Sequence, residues 1–231
     1  IPDECEIKNG ETRGNYGPYI PSERKEIYHA FIKHLISEGK AYPCFLTQEE
    51  MDSIRESQTR DKRRIGIYGR YAKYRNLPIE EAAERVKNGE PFVIRLKSEG
   101  NFNTKFKFED LAFGTMEMPE NDIDTVIMKS SNQLPTYHFA HLVDDHLMRT
   151  THVIRGQEWV SSVPTHYELF KMFGFKMPKY VHTPLILKKD EDKIRKISKR
   201  LDPEARMTYY EEKGYPIYSV IEAIMTIANS N

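Results

Sequence analysis

Cysteine is nearly absent from this 231-residue chain. Cys5 and Cys44 are the only two, too few for a disulfide framework and in keeping with a reducing cytoplasm. No run of 18 apolar residues occurs, so neither a membrane-spanning helix nor a membrane partner is expected. The opening Ile1-Pro-Asp-Glu-Cys5 has no Met, no charged n-region and no apolar h-region, so no secretory signal is expected. Charge of one sign is in no excess: 35 Lys+Arg stand against 35 Asp+Glu. Any contact with nucleic acid must therefore come from local patches. Both ends read as cut, the second because residues 218–231 stop inside an apolar-periodic stretch without a cap. The length suits one large domain or two modest ones.

The charge that is present is concentrated. Between Lys188 and Arg200 there are seven Lys/Arg and three acids, a net of +4, ending in Lys196-Ile-Ser-Lys-Arg200. Two lysines three apart with a hydroxyl between them suit an oligophosphate whose charge must be stabilised during attack on one phosphoryl group. By itself the segment also reads as a solvated charged loop. A second stretch, Arg55–Arg75, holds eight Lys/Arg against two acids, a net of +6, with Tyr68, Tyr71 and Tyr74 interleaved.

Periodicity gives the elements. Ser22, after Pro21, is placed to N-cap a helix to about Glu38 with Ile27, Tyr28, Phe31, Ile32 and Leu35 as its apolar face, and Gly39 stops it. Thr47-Gln-Glu-Glu50 is a capping-box pattern opening a second helix. Asn76-Leu-Pro78 opens a third, with Ile79, Ala82, Ala83 and Val86 on one face. Phe92–Lys97 and Lys105–Phe108 alternate like paired strands around Gly100. From about Ile123 strands and helices alternate: Thr125–Met128, a helix from Thr136 to Met148, Thr151–Ile154, a helix to about Phe173, and Val181–Leu187. That alternation predicts an α/β fold with a parallel, Rossmann-like sheet. Ligands in such sheets bind beyond the carboxyl ends of the strands. The loops Lys129–Pro135, Arg155–Trp159 and Lys188–Arg200 are expected there.

His138, His141, Asp144, Asp145, His146 and His152 have the look of a metal site, with two imidazoles one helical turn apart. Against it, adjacent Asp144 and Asp145 cannot face the same way on a helix. No metal is therefore assigned.

The sequence resembles the bacterial glutamyl-tRNA synthetases, a class I aminoacyl-tRNA synthetase family. The resemblance rests on Ser22-Glu-Arg24, Gly39-Lys-Ala-Tyr42, Leu134-Pro-Thr-Tyr-His-Phe-Ala140, Val143-Asp-Asp-His-Leu147, His152-Val-Ile-Arg-Gly156, Glu158-Trp159 and Lys196-Ile-Ser-Lys-Arg200. It covers almost the whole chain in order and spacing. It implies a Rossmann catalytic domain (residues 1–42 and 131–201) split by an inserted α+β domain (43–130) that grips the tRNA acceptor end, with 202–231 starting a stem-contact linking domain. The implied activity is ATP-dependent attachment of glutamate to tRNA(Glu) through glutamyl-adenylate. The implied partners are L-glutamate, tRNA(Glu) and ATP with its Mg2+, and the parent is expected to be a cytoplasmic monomer.

By resemblance, Lys196, Ser198 and Lys199 would steady the phosphates, and Glu158 and Leu187 would join Lys199 at ATP. Tyr137, His141 and Arg155 would fall at glutamate. A guanidinium binds a carboxylate bidentately and would leave glutamine poorly matched. Arg63, Arg64 and Arg70, in the basic stretch, would meet tRNA phosphates, although a solvated surface is an equal reading for any one of them. Trp159 stands where the family places an aromatic near substrate, or it belongs to the core.

The sequence departs from the family pattern in several places. Position 141 is often asparagine in the family. Two extra residues separate Leu187 from Lys196. Tyr42-Pro-Cys44 keeps one cysteine where some relatives hold zinc through a pair, so no zinc is expected and Cys44 reads as a small buried residue. The His-x-Gly-His signature of the first nucleotide half is missing, which implies an internal piece of a longer synthetase that is inactive alone. A glutamyl-queuosine tRNA synthetase-like paralogue and a non-catalytic RNA- or metal-binding module are the alternatives. The intact lysine signature and the segment beyond Asp202 argue against the paralogue.

Overall fold

The computed structural model describes residues 5–6, 12–190 and 193–228. The extreme ends read above as cut, 1–4 and 229–231, and the two acids at 191–192 lie outside the described residues. The chain forms two compact units, one of residues 1–108, 115–151 and 162–178, the other of 109–114, 152–161 and 179–231.

In the first unit, β1 (Cys5–Glu6) and β2 (Thr12–Arg13) pair antiparallel. A one-turn 3-10 helix, Pro21–Arg24, leads into α1 (Lys25–Ser37). The expected cap is corrected here: Ser22 lies inside the 3-10 turn, the position before α1 is Arg24, and no side chain caps either helix. Pro21 sits at the first 3-10 position, where its missing N–H costs nothing. At the other end Gly39 adopts φ +67°, a left-handed conformation that a glycine enters without a Cβ clash.

Next come β3 (Ala41–Cys44), α2 (Gln48–Arg60), α3 (Ile79–Lys87), β4 (Val93–Leu96), β5 (Lys105–Asp110), β6 (Gly114–Pro119), β7 (Val126–Met128), α4 (Tyr137–Leu147) and α5 (Val163–Phe173). The α2 start is the expected capping box: Thr47 Oγ1 accepts from Glu50 N–H and Thr47 N–H donates to the Glu50 carboxylate. The third helix forms as expected, with its apolar face covered only in part. Only Ala82 is buried, while Ile79 and Val86 are exposed. Four apolar residues at helical spacing mark a face that can be buried, and here one small side chain does the packing.

The strands β3, β4 and β7 form an antiparallel sheet with β4 in the middle. This overturns two expectations. The Phe92–Lys97 strand does not pair with Lys105–Phe108, because both edges of β4 are already occupied. At Gly100 a Cβ would lie 2.0 Å from the Asn121 carbonyl oxygen, so only glycine passes there as the chain leaves the sheet. Thr125–Met128 is also not a parallel strand, and a short apolar run carries no information on strand direction. Against this sheet pack α1, α4 and α5, burying Tyr28, Ile32, Leu35, Ile94, Leu96, Ile127, Phe139, Leu142, Leu169 and Phe170 in one cluster. A satellite cluster holds Tyr42, Cys44, Phe45, Tyr74 and Ala82.

Two buried carboxylates organise polar cross-links in this unit. Asp124, fully buried, accepts from Tyr42 Oη (2.8 Å), Ser98 N–H (3.0 Å) and Arg75, while Arg95 donates to its carbonyl (2.9 Å). Glu168 accepts from Ser98 Oγ, Glu99 N–H and Asn121 Nδ2 at 2.7–2.9 Å. Burial raises the Glu168 pKa, against the pull of those donors.

In the second unit, β8 (His152–Gly156) and β9 (Lys179–Thr183) are parallel and in register from His152↔Lys179 to Gly156↔Thr183, with Asp110 of β5 beside Tyr180. This is the parallel pair that the strand-helix alternation anticipated. A 3-10 turn, Gln157–Ser162, follows β8. After β9, the run expected as a basic loop is a hairpin of β10 (Leu187–Asp190) and β11 (Lys193–Lys196), paired from Leu187↔Lys196 to Asp190↔Lys193. Opposite charges hold what a charge count reads as repulsive: Arg195 pairs with Asp190 within the hairpin. Helices α6 (Met207–Glu212) and α7 (Ile217–Ala228) end the described chain.

Candidate active site

Because β8 and β9 are parallel, their carboxyl ends lie side by side, and the segments that follow them start from one edge. The first is Arg155–Trp159. The Arg155 Nε donates to His182 Nε2 at 2.9 Å and a terminal nitrogen donates to the Trp159 carbonyl at 3.3 Å. Its guanidinium lies 4.8 Å from the centre of the Tyr180 ring. His182 is fully buried, with Nδ1 2.6 Å from Asp110 Oδ2. The other Asp110 oxygen accepts from Ala112 and Phe113 N–H at 2.9 and 3.0 Å. Burial alone would raise the Asp110 pKa. The hydrogen bonds from His182, Phe113 and Ala112 outweigh it and hold the carboxyl below its ordinary range.

At Gly156 a Cβ would meet a Glu158 carboxylate oxygen at 2.1 Å, so the glycine gives Glu158 room to fold back. Glu158 Oε1 is 2.6 Å from Lys196 Nζ, and this hydrogen bond is the main cause of its lowered pKa. Both side chains are more than two-fifths exposed. Leu187, across the hairpin from Lys196, is exposed as well.

The end of the hairpin is fixed by Asp202. This carboxylate, 1% exposed, accepts from Arg195 at 2.7 and 2.8 Å, from Ser198 N–H at 2.8 Å and from Lys188 Nζ at 3.0 Å. The Arg195 hydrogen bonds first, and then the Ser198 N–H, hold its pKa far below the usual carboxylate value. Ser198 Oγ accepts from Arg200 N–H, and the Lys199 backbone carbonyl accepts from Arg206 Nε. Lys199 is exposed.

The other named residues belong to the first unit. Tyr137, on α4, stacks on His141 at 5.6 Å between ring centres. His141 is buried and paired with Asp145, and His138 Nδ1 lies 3.0 Å from His166 Nε2. Asp144 turns the other way and accepts from Arg24 Nε (2.9 Å) and Tyr28 Oη (2.8 Å). The metal-like cluster is thus divided between separate networks, as the helix geometry of adjacent aspartates requires. Of the three arginines, Arg63 is exposed and Arg70 lies beside Tyr71 and Asp61. Arg64 is engaged internally, paired with Asp122 and 3.6 Å over the Phe102 ring. A cavity of about 340 Å³ lined in part by Lys40, Tyr167, Glu168 and Lys171 involves none of the residues assigned above to ATP, glutamate or tRNA.

Sequence reasoning missed Asp110, His182 and Asp202. Asp202 precedes a proline and reads as a turn residue. His182 is one histidine in a short strand of mixed polarity. Asp110 and His182 lie 72 residues apart and Asp202 acts by closing a hairpin, so no motif announces them.

The family described as "tRNA synthetases class I (E and Q), catalytic domain" matches residues 4–230. The chain is 50% identical over 228 residues to a glutamate–tRNA ligase of Clostridium perfringens, covering 99% of this chain and 42% of that protein. It is 51% identical over 230 residues to the corresponding ligase of Clostridium beijerinckii, covering 99% and 41%. Among solved structures, a glutamate tRNA ligase from Elizabethkingia meningosepticum in complex with its amino acid is similar, with a TM-score of 0.68 and 32% identity, over 88% of this chain and 39% of that one. The chain spans about two-fifths of the length of these relatives.

Proposed function

The chain belongs to the class I tRNA synthetases of the E and Q type, with their Rossmann-like α/β catalytic fold, and on that premise we propose that the natural polypeptide carrying it attaches glutamate to tRNA(Glu). One observation carries the reading furthest. The Arg155–Trp159 segment closes β8, the hairpin that ends in the Lys196–Arg200 signature follows β9, and Lys196 meets Glu158; nucleotide folds bind their ligands beyond the carboxyl ends of such strands.

In the proposed reaction an oxygen of the glutamate α-carboxylate attacks the α-phosphorus of ATP. A new P–O bond forms, the bond to the β-phosphate oxygen breaks, and pyrophosphate leaves. The 2′-hydroxyl of the terminal tRNA adenosine then attacks the acyl carbon, releasing AMP and a proton. A carboxylate is already a nucleophile, so the first step needs positioning and charge stabilisation more than a base. Lys196 would exchange Glu158 for ATP phosphate oxygens, Lys199 would approach from the exposed side, and Ser198 would be held in place by Asp202. Glu158 and Leu187 would flank the nucleotide, and Mg2+ enters with it as part of the substrate. Arg155 would bind the side-chain carboxylate of glutamate, with Tyr137 and His141 also assigned to the amino acid. Residues 43–130 are assigned to the acceptor end of tRNA(Glu), through Arg63 and Arg70 foremost, 1–42 and 131–201 to the catalytic fold, and 202–231 to stem contact. We assign the polypeptide to the cytoplasm as a monomer. Among the described residues no helix is long and apolar enough to cross a membrane.

Glutamate-dependent ATP–pyrophosphate exchange by the full natural polypeptide, with charging of tRNA(Glu), tests the reading. Exchange with another amino acid and none with glutamate would overturn it.

A further inference from the structure

An arginine can only donate hydrogen bonds. The Arg155 Nε–H, 2.9 Å from His182 Nε2, therefore requires a lone pair on that nitrogen. The proton of the neutral imidazole must then sit on Nδ1, where Asp110 Oδ2 accepts it at 2.6 Å. Asp110 in turn cannot swing, because its other oxygen is fixed by the N–H groups of Ala112 and Phe113. The chain of partners runs one way: backbone amides orient Asp110, Asp110 fixes the tautomer of His182, and His182 fixes the plane of the Arg155 guanidinium. The Trp159 carbonyl and the face of Tyr180 set two further limits on that plane.

We propose that Asp110 and His182 are positioning residues that hold the Arg155 guanidinium in one orientation for the side-chain carboxylate of glutamate. The proposal rests on the reading of Arg155 as the glutamate anchor. Bidentate pairing requires the plane of the fork to match the plane of the carboxylate. A guanidinium on a flexible stem meets that condition in a small fraction of its rotamers. The group acts through another residue, much as an outer partner orients a metal-binding histidine.

The substitution Asp110→Asn tests this directly. The two backbone N–H groups will keep the amide oxygen on their side and turn the –NH2 toward His182 Nδ1. The imidazole must then accept at Nδ1 and carry its proton on Nε2, which sets an N–H against the Arg155 N–H. In the full natural polypeptide, the glutamate KM in ATP–pyrophosphate exchange should rise about tenfold or more, the scale of a lost hydrogen bond to a charged group. The ATP KM should move less than about twofold. Histidine ¹⁵N spectra should show His182 protonated on Nδ1 in the native protein and on Nε2 in the variant. Native protein with the proton on Nε2 overturns the proposal, whether or not the variant folds. A folded variant with the tautomer reversed and an unchanged glutamate KM also overturns it. Arg155→Ala separates the two levels. If it raises the glutamate KM while Asp110→Asn does not, only the positioning role fails. If it leaves that KM unchanged, the glutamate anchor fails and the positioning role with it.

Discussion

Lys196 and Glu158 are joined by a 2.6 Å hydrogen bond between Nζ and Oε1, so the lysine assigned to ATP phosphates is already neutralised before any nucleotide arrives. The pair is substantially exposed, and exposed pairs contribute about 0–1 kcal/mol. ATP phosphates can therefore displace the carboxylate at small expense. Glu158→Gln should shift the ATP KM by no more than about fivefold. Lys196→Ala should lower the rate of ATP–pyrophosphate exchange about 10²–10³-fold, the loss typical of one transition-state donor. An equal, small effect of both substitutions would contradict the assigned role.

The Asp124 hub should dominate stability in the first unit. Asp124→Ala leaves Arg75 without its buried carboxylate partner, and Tyr42 Oη and Ser98 N–H without their acceptor, and should cost about 3–5 kcal/mol in urea unfolding. Tyr42→Phe removes one hydrogen bond to a charged group and should cost about 1.5–3 kcal/mol. The double variant should lose less than the sum, because the same bond is counted twice.

Acid should act on the hairpin through Asp202. Its folded pKa lies well below the ordinary carboxylate value of about 4, so its contribution is complete above that value and disappears as the pH falls through the folded pKa. Unfolding stability measured from pH 6 downward should therefore drop below about pH 4. In Asp202→Asn the native protein should lose that part of the slope. An identical profile in both proteins would remove Asp202 from the account.

Salt should separate the three arginines. If Arg63 and Arg70 meet phosphates, replacing either with Ala should weaken tRNA(Glu) binding and reduce the slope of log K against log salt by about one. Arg64→Ala should also reduce stability, since its guanidinium pairs with Asp122 and covers Phe102. An unchanged salt slope in Arg63→Ala and Arg70→Ala would return both to plain solvated surface.

What could be read beforehand divides by range in the chain. The Thr47–Glu50 box, the stop at Gly39 and the α4 and α5 helices are local, and their residues declare them. Strand partners are not legible in this way, because pairing is a property of two distant segments: β4 offers the same alternation whether it meets β5 or β3 and β7. The same division holds at the site. Lys196, Ser198 and Arg155 stand in recognisable runs, whereas Asp110 and Asp202 matter through partners 72 residues away in one case and across a hairpin in the other. On α3 the amphipathic spacing shows what could be covered and not what is, and only Ala82 is buried.

Asp202 has a practical consequence for anyone moving the Lys196–Arg200 signature between proteins. Its carboxylate gathers Lys188 and Arg195 from the two strands and the amide of Ser198 from the turn beyond, like a knot drawing three cords together outside the fabric that it closes. The transferable cassette therefore begins at Leu187 and must extend past Asp202. A graft of the five signature residues alone would carry the lysines and lose the knot.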